Sequence, residues 1–336
     1  MKQFTHAWLA FMAIRRLEKA VLSPELFPEL PPDDREYADS LIKWFKNNRD
    51  GVIRGAWYPD SLIKDMATSH ILKFEPSDEG TEKLKQLPET YLSYKHSKES
   101  PVGNRKFNLV DKTNNLPDRC ESLTHSVVDH LKVRESEKKG SAVSPTNNQV
   151  ALWLFMLSHY VADAHVPLHC DGRKFSEGVD IHGEMEGEWD TKIRKYYQID
   201  KSDKGNKRFL YDPEGYPLMK SGRDQEYKSS YLKDVEDELS KRKLAESKDL
   251  KELFGGGNKN VWDFTKAICQ HSYLLSYCFL PEQCNPTNVT LQNWKSLGGL
   301  SFDELSVAVL ADATDSIARI WFRAWRRYAK WEKGQT

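Results

Sequence analysis

The chain of 336 residues is 39% hydrophobic and carries ten tryptophans, which supports a large packed core and excludes a disordered protein. Its 50 basic and 50 acidic side chains cancel, excluding a global field toward nucleic acid or an anionic membrane; any such affinity must be local. The cysteines Cys120, Cys170, Cys269, Cys278 and Cys284 are odd in number and form no C-x-x-C, which argues against a disulfide framework or thiolate zinc site and suits a reducing compartment. The first apolar run, Ala7 to Ile14, spans eight residues and is closed by Arg15 and Arg16 with no small-residue cleavage pattern. No signal peptide is expected there, and a cytoplasmic location follows as the expectation. Mean hydropathy is −0.70, and no apolar run approaches the roughly twenty residues of a transmembrane helix.

In chain order, the spacing of apolar residues predicts a buried first helix from Thr5 to about Ala20, with Thr5 as its N-cap, and a second from Arg35 to Asn48 with Leu41, Ile42, Trp44 and Phe45 on its apolar side. Asp60 to Phe74 reads as a short helix or helical turn, and the polar, proline-broken stretch 75–117 as a surface excursion. Helices follow at Asp118–Val133, Asn148–Ala164 and Ile181–Tyr197, the last two expected in the core. The stretch 198–260 reads as a charged insertion, with a small hairpin around F-L-Y-D-P-E-G-Y-P and an exposed helix from Tyr227 to Leu253 ended by Gly255 to Gly257. Two helices, Val261–Phe279 and Phe302–Trp331, close the chain. The expectation is one all-α, multi-helix domain over residues 1–336, without internal repeats and decorated at about 75–117 and 198–260.

Function is concentrated between residues 159 and 190, in H-Y-V-A-D-A-H-V-P-L-H and D-I-H-G-E-M-E-G-E-W-D. His159 and Asp163 are four apart, so on a helix both point from one face toward a common ion. Pro167 stops that helix, placing His169 on the turn beyond, from which its imidazole can reach a second ion near the first. His182 and Glu186 repeat the four-residue spacing. Imidazole nitrogen and carboxylate oxygen are zinc ligands, and His6, His70 and Asp60 stand where they can complete the set. Buried imidazoles and carboxylates on apolar helices are costly unless paired, which favours a shared cation. By contrast His96, His125, His130, His165 and His271 read as hydrogen-bonded core or boundary residues. A di-iron bundle would need Glu-x-x-His pairs, and the chain has none.

The segments T-H-A-W-L-A-F-M-A-I, W-Y-P-D with S-H-I-L, H-Y-V-A-D-A-H-V-P-L-H and I-H-G-E-M-E together resemble the zinc-dependent phospholipase C superfamily, which includes the fungal single-strand nucleases. The resemblance covers residues 1–75 and 148–195, touches the last helix loosely and does not extend to 198–260. It implies three zinc sites: Asp60, His70, His159 and Asp163 at the first; His169, His182 and Glu186 at the second; and Asp163 bridging to a third held by His6. In that superfamily the mature N-terminal residue also chelates the third zinc. Here Met1, five residues before His6, is the candidate through its amine. Asp190, four beyond Glu186, is either a ligand in a Glu186–Asp190 pair or a residue that supports His182 and Glu186.

The resemblance implies a metal-dependent hydrolase acting on phosphoric ester bonds: a zinc-dependent phosphoesterase of phospholipase C type, holding two to three Zn2+ and cleaving a phosphodiester with a metal-activated water. Asp60 is the residue expected to orient or deprotonate that water. The stretch C-D-G-R-K-F-S-E-G-V-D-I lacks the G-G-N of the nuclease branch, and the acid after His182 is Glu; both favour the phospholipase side. A phospholipid and a soluble phosphoester both remain open as substrates. Arg173 and Lys174 are candidates for steadying a phosphate, although an exposed basic pair is ordinary, and Trp57, Tyr58 and Phe74 either wall a substrate pocket or simply pack. The alternatives are a single-strand nuclease, which needs aromatic stacking platforms, and a non-catalytic helical protein stapled by its metals.

Overall fold

The computed structural model describes residues 1–23, 31–65, 67–83, 105–137, 144–173, 181–202, 207–242, 260–280, 290–291 and 301–334. Helix α1 spans Gln3–Leu22 and buries nearly every residue from Phe4 to Ile14, because its apolar run leaves no polar face until Arg15. Thr5 is not its cap. The helix starts two residues earlier, and its Phe4 N–H donates across the chain to Asp190 Oδ1 (2.7 Å). Helix α2, Pro32–Gly55, outruns the expected 35–48 at both ends. It opens with Pro32 and the acids Asp33 and Asp34, which suit the positive end of a helix dipole. Leu41 and Phe45 are fully buried as expected, whereas Ile42 and Trp44 only pack against the core edge.

Helices α3 (Leu116–Ser136) and α4 (Asn147–Ala164) each begin with a capping box, Asn115 with Asp118 and Thr146 with Gln149. These caps explain starts one or two residues before the apolar periodicity. Helix α5 is Ile181–Tyr196, α6 Asp224–Lys228, α7 Tyr231–Lys241, α8 Val261–Phe279 and α9 Phe302–Glu332. Among the described residues, α4 packs against α1, α2, α3, α8 and α9, so it is the axis of the bundle. The fold is all-α, as expected. Its strands are short: β1 (Phe74–Pro76), β2 (Glu82–Lys83) and β3 (Lys106–Leu109) form an antiparallel sheet in the order β1-β3-β2, and β4 (Ile199–Asp200) pairs with β5 (Arg208–Phe209), while the hairpin expected around F-L-Y-D-P-E-G-Y-P is closed by the antiparallel bridge of Tyr211 with Pro217. No described helix is long and apolar enough to cross a membrane.

The expected exposed helix from Tyr227 to Leu253 is corrected. Two helices stand there, α6 and α7, and α7 buries Tyr231, Leu232, Val235 and Leu239 against α9. Its far end, 243–259, lies outside the described residues, as do residues 84–104 of the excursion at 75–117, His96 among them.

A buried ion network ties α7, α1 and α9 together. Asp315 on α9 accepts from Arg16 Nε (2.5 Å) and Arg319 Nε (2.8 Å), Arg16 also donates to the Leu239 carbonyl (2.7 Å), and Arg242 pairs with Asp312 (2.6 Å). All five charged groups are nearly sealed from water. Removing one partner strands the others in low dielectric. We therefore expect Asp315→Ala to destabilise the fold by about 3–5 kcal/mol in urea titrations, and Arg16→Met/Asp315→Leu to cost less than the single change. A loss under about 1 kcal/mol for the single change, the range of a surface pair, would contradict this account.

Candidate metal centre

Three segments meet around the carboxylate of Asp163. Helix α4 carries His159 and Asp163 on one face, both buried. Its end is set by Pro167: Val166 turns extended, and a single 3-10 turn, Pro167–His169, brings His169 back over the helix end. The second segment follows α2. Gly55 lies against Phe155 of α4, where an added Cβ would overlap the ring, and this close approach brings the Ala56 carbonyl to His159 Nδ1 (2.8 Å). A carbonyl only accepts, so His159 carries its proton on Nδ1 and turns the Nε2 lone pair into the cluster. Asp60 then sits on a π-turn, Pro59–Ile63, and His70 on a 3-10 turn, Ala67–His70. The third segment is α5, with His182 and Glu186 one turn apart.

The donor atoms fall into three groups, each within 4.8 Å: Asp60, His70 and His159; His169, His182 and Glu186; and His6, His159 and Asp163. In the first, His159 Nε2 is 3.3 Å from His70 Nδ1, 3.4 Å from Asp60 Oδ1 and 3.4 Å from Asp163 Oδ2; His70 Nδ1 is 3.6 Å from Asp60 Oδ1 and 3.0 Å from Asp163 Oδ2. Tetrahedral zinc with bonds of about 2.0–2.1 Å sets its donors roughly 3.3–3.4 Å apart, and these five separations, 3.0–3.6 Å, lie around that figure. In the second group His169 Nε2 lies 3.0 Å from His182 Nε2 and 3.4 Å from Glu186 Oε1, and His182 Nε2 2.9 Å from Glu186 Oε1. In the third His6 Nε2 is 3.6 Å from Asp163 Oδ1, while the Met1 amine is 3.0 Å from Asp163 Oδ1 and 2.8 Å from Glu186 Oε1.

Protonation suits a cation. Burial would raise the Asp163 carboxyl, but the Met1 ammonium beside it outweighs burial and holds Asp163 well below the usual range. Glu186 is likewise depressed, against burial, by the Met1 amine and by His169 and His182. Burial pushes His6 and His169 down, keeping them as neutral imidazoles, the form that binds metal. Both ring nitrogens of His6 and Nδ1 of His169 are buried with no hydrogen-bond partner. A native interior rarely orphans such atoms, and a cation beside them would satisfy them. Two carboxylates against burial raise the Met1 amine to about 11, so in the metal-free chain an ammonium group sits between Asp163 and Glu186.

Every residue expected as a ligand therefore stands in the cluster. Of the two expected as substrate contacts, one lines the pocket over the centre and the other does not. Tyr58 stacks edge-on against Phe155 at 5.4 Å and does not line the pocket over the centre. Arg173 lines it, but its guanidinium is held by Asp171 (2.7 Å) and the Leu280 carbonyl (2.7 Å) and lies over the Tyr277 ring, latching the His169 turn to α8. Lys174 lies outside the described residues, Trp57 packs near His6, and Phe74 is fully buried. The histidines read as non-ligands have other contacts where described: His125 with Glu121, His130 with the Ser126 carbonyl, His165 with Ser316. Sequence reasoning missed Lys73, which lines the pocket because β1 runs beside the turn after His169. No local pattern marks it.

Asp190 caps α1 from outside, through the Phe4 amide, and so anchors the segment that carries Met1. Asp190→Ala is expected to bind as many metal ions as the unaltered chain by native mass spectrometry and to lose about 1 kcal/mol of stability, the worth of a cap. His182→Ala is expected to bind one ion fewer. If Asp190→Ala instead sheds an ion, Asp190 is a ligand.

No protein-family model and no curated protein matches the chain. Among solved structures it is similar to the alpha-toxin of Clostridium perfringens from an avian strain, with a TM-score of 0.50 and 14% identity over 97% of this chain and 64% of that chain. The chain thus spans less than two thirds of the toxin's length. At that identity the likeness is one of fold.

Proposed function

We propose that the chain is a zinc-dependent phosphoesterase of phospholipase C type that hydrolyses a phosphodiester, with residues 1–336 working as one domain. The observation that carries this reading is the donor set around Asp163: separations near those of tetrahedral zinc, carboxylates held ionised, and buried imidazole nitrogens without partners. Asp60, His70, His159 and Asp163 would hold one ion, His169, His182 and Glu186 a second, and His6, Asp163 and the Met1 amine a third. Zinc bound there supplies Lewis acidity toward water and toward the phosphoryl oxygens.

The chain's own residues do the rest. Asp60 is the most exposed donor carboxylate, its side chain 30% accessible against 2% for Asp163 and 12% for Glu186, so it faces incoming water and is placed to take its proton. The pocket of about 310 Å³ above the donors has an apolar side of Ala67, Ile71 and Leu168, which limits water around the reacting ester, and the ammonium of Lys73 on its wall offers charge to phosphate. The His159–Ala56 hydrogen bond holds the imidazole tautomer that binding requires.

The test is hydrolysis by the zinc-loaded chain of a phospholipid, a soluble phosphodiester and a short single-stranded oligonucleotide, each with and without chelator. Chelator-sensitive release from the phospholipid or the soluble diester is expected, with Asp60→Asn lowering kcat/KM by about a hundredfold or more. Cleavage of the oligonucleotide alone would move the assignment to the nuclease alternative. No hydrolysis of any of the three, with zinc bound, would leave a protein that uses its metals as staples. Adding residues before Met1 is expected to weaken one zinc equivalent; unchanged affinity would remove Met1 from the ligand set.

A further inference from the structure

Two turns along α5 from Glu186, about 12 Å of helix rise, the same helix borders a second and different concavity. A groove of about 620 Å³ runs between the end of α5 and the strands after it, and of the eight described residues that line it four are cations, Arg194, Lys195, Lys201 and Lys220, and none of the eight is acidic. In a chain whose 50 basic and 50 acidic residues cancel, that is a local separation of charge. Glu226 bridges the groove's Lys195 and Arg223 (2.7 Å), Asp190, held by the Phe4 amide, lies 3.8 Å from Arg194, and Asp200 is bound to Arg208 (3.2 Å), so Lys201 and Lys220 are the groove cations without a carboxylate partner among the described residues. Lys201 is exposed and has no ion pair among the described residues.

Lys220 is the fixed element. Its Nζ donates to the carbonyls of Arg194 (2.8 Å) and Lys195 (3.2 Å), the negative end of α5, which uses two of its three donors and pins the ammonium at the groove. Partial burial and the charges of Arg223, Arg194 and Lys201 lower its pKa, as an unneutralised positive field does. The remaining lining residues include Ile199 and an exposed leucine, Leu210, but no aromatic ring. Single-stranded nucleic acid is held on stacking platforms, which this groove lacks, whereas cations beside exposed alkyl groups suit the headgroup layer of a bilayer.

We propose that this groove docks the chain onto an anionic phospholipid surface, with Arg194, Lys201 and Lys220 taking lipid phosphates and carboxylates and Leu210 meeting the interface. The site is built from the end of α5 with Ile199, Lys201, Leu210 and Lys220, apart from the metal donors, and it gives the molecule a foothold on negative membranes whatever substrate the metal pocket takes.

The test is flotation of the full chain with vesicles of phosphatidylcholine alone and of phosphatidylcholine mixed with phosphatidylserine, at low and high salt. Binding is expected only to the mixed vesicles, is expected to be lost at high salt, and should weaken about fivefold in Lys201→Gln and be restored in Lys201→Arg. Lys201 is exposed and has no ion pair among the described residues, so the thermal midpoint should not move; Arg194→Gln, a second cation in the groove, should weaken binding as well. Equal binding to both vesicle types, no binding, or unchanged partition in both variants would overturn the proposal. So would a single-stranded oligonucleotide that displaces the vesicles and loses affinity with the same substitutions. Flotation reads association and not turnover, so a failed docking surface leaves phosphodiester hydrolysis intact, and an inactive metal centre leaves flotation intact.

Discussion

Asp163 is a carboxylate with almost no access to water, and the organisation of this molecule follows from what it takes to keep it ionised. Burial alone would neutralise it, so cationic or donor groups must converge on it from every side. They arrive from separate parts of the chain: the Met1 amine, His6 from α1, His70 from the turn after α2, His159 one turn back on α4, and His169 from the turn beyond α4. Helix α4 carries this group, and α1, α2, α3, α8 and α9 pack around it. The bundle and the centre are therefore one construction, in which the apolar helices supply low dielectric and the low dielectric gives each polar contact its strength.

The supports of the centre are as specific as the donors. Gly55 lets α2 approach Phe155, and that approach delivers the carbonyl that sets the tautomer of His159. Asp190 caps α1 and so fixes the segment bearing Met1 and His6. The Arg173–Asp171 latch, with Ser276 donating to Asp171 (2.6 Å), ties the His169 turn to α8. Each of these contacts joins residues distant in sequence and uses a group that is not itself a donor to the cluster. Such supports make the difference between a list of ligands and a site held to a few tenths of an ångström.

What was legible from sequence divides along the same line. Helical periodicity located α3, α4, α5, α8 and α9 to within a few residues, and the i, i+4 pairs His159–Asp163 and His182–Glu186, with Pro167 as a stop, identified donors that the fold brings together. Local patterns were sufficient because both signals act within one or two turns. Contacts across the chain carried no local mark: the bond from the Phe4 amide to Asp190 and the hold of Arg173 on Asp171 and the Leu280 carbonyl could not be read from neighbouring residues, and Tyr227–Leu253 read as one exposed helix because its polar residues outnumber its apolar ones. Helix α7 is buried along its Tyr231, Leu232, Val235 and Leu239 stripe, and the Arg16–Asp315 network that holds it in place joins residues 299 apart.

The central claim is that these donors hold zinc. X-ray diffraction from zinc-grown crystals, recorded on both sides of the zinc absorption edge, tests it most directly. The account expects anomalous peaks among Asp60, His70, His159 and Asp163 and among His169, His182 and Glu186, with a further peak beside His6 and the Met1 amine. Peaks confined to the molecular surface, with the donors around Asp163 bound to no metal, would contradict it.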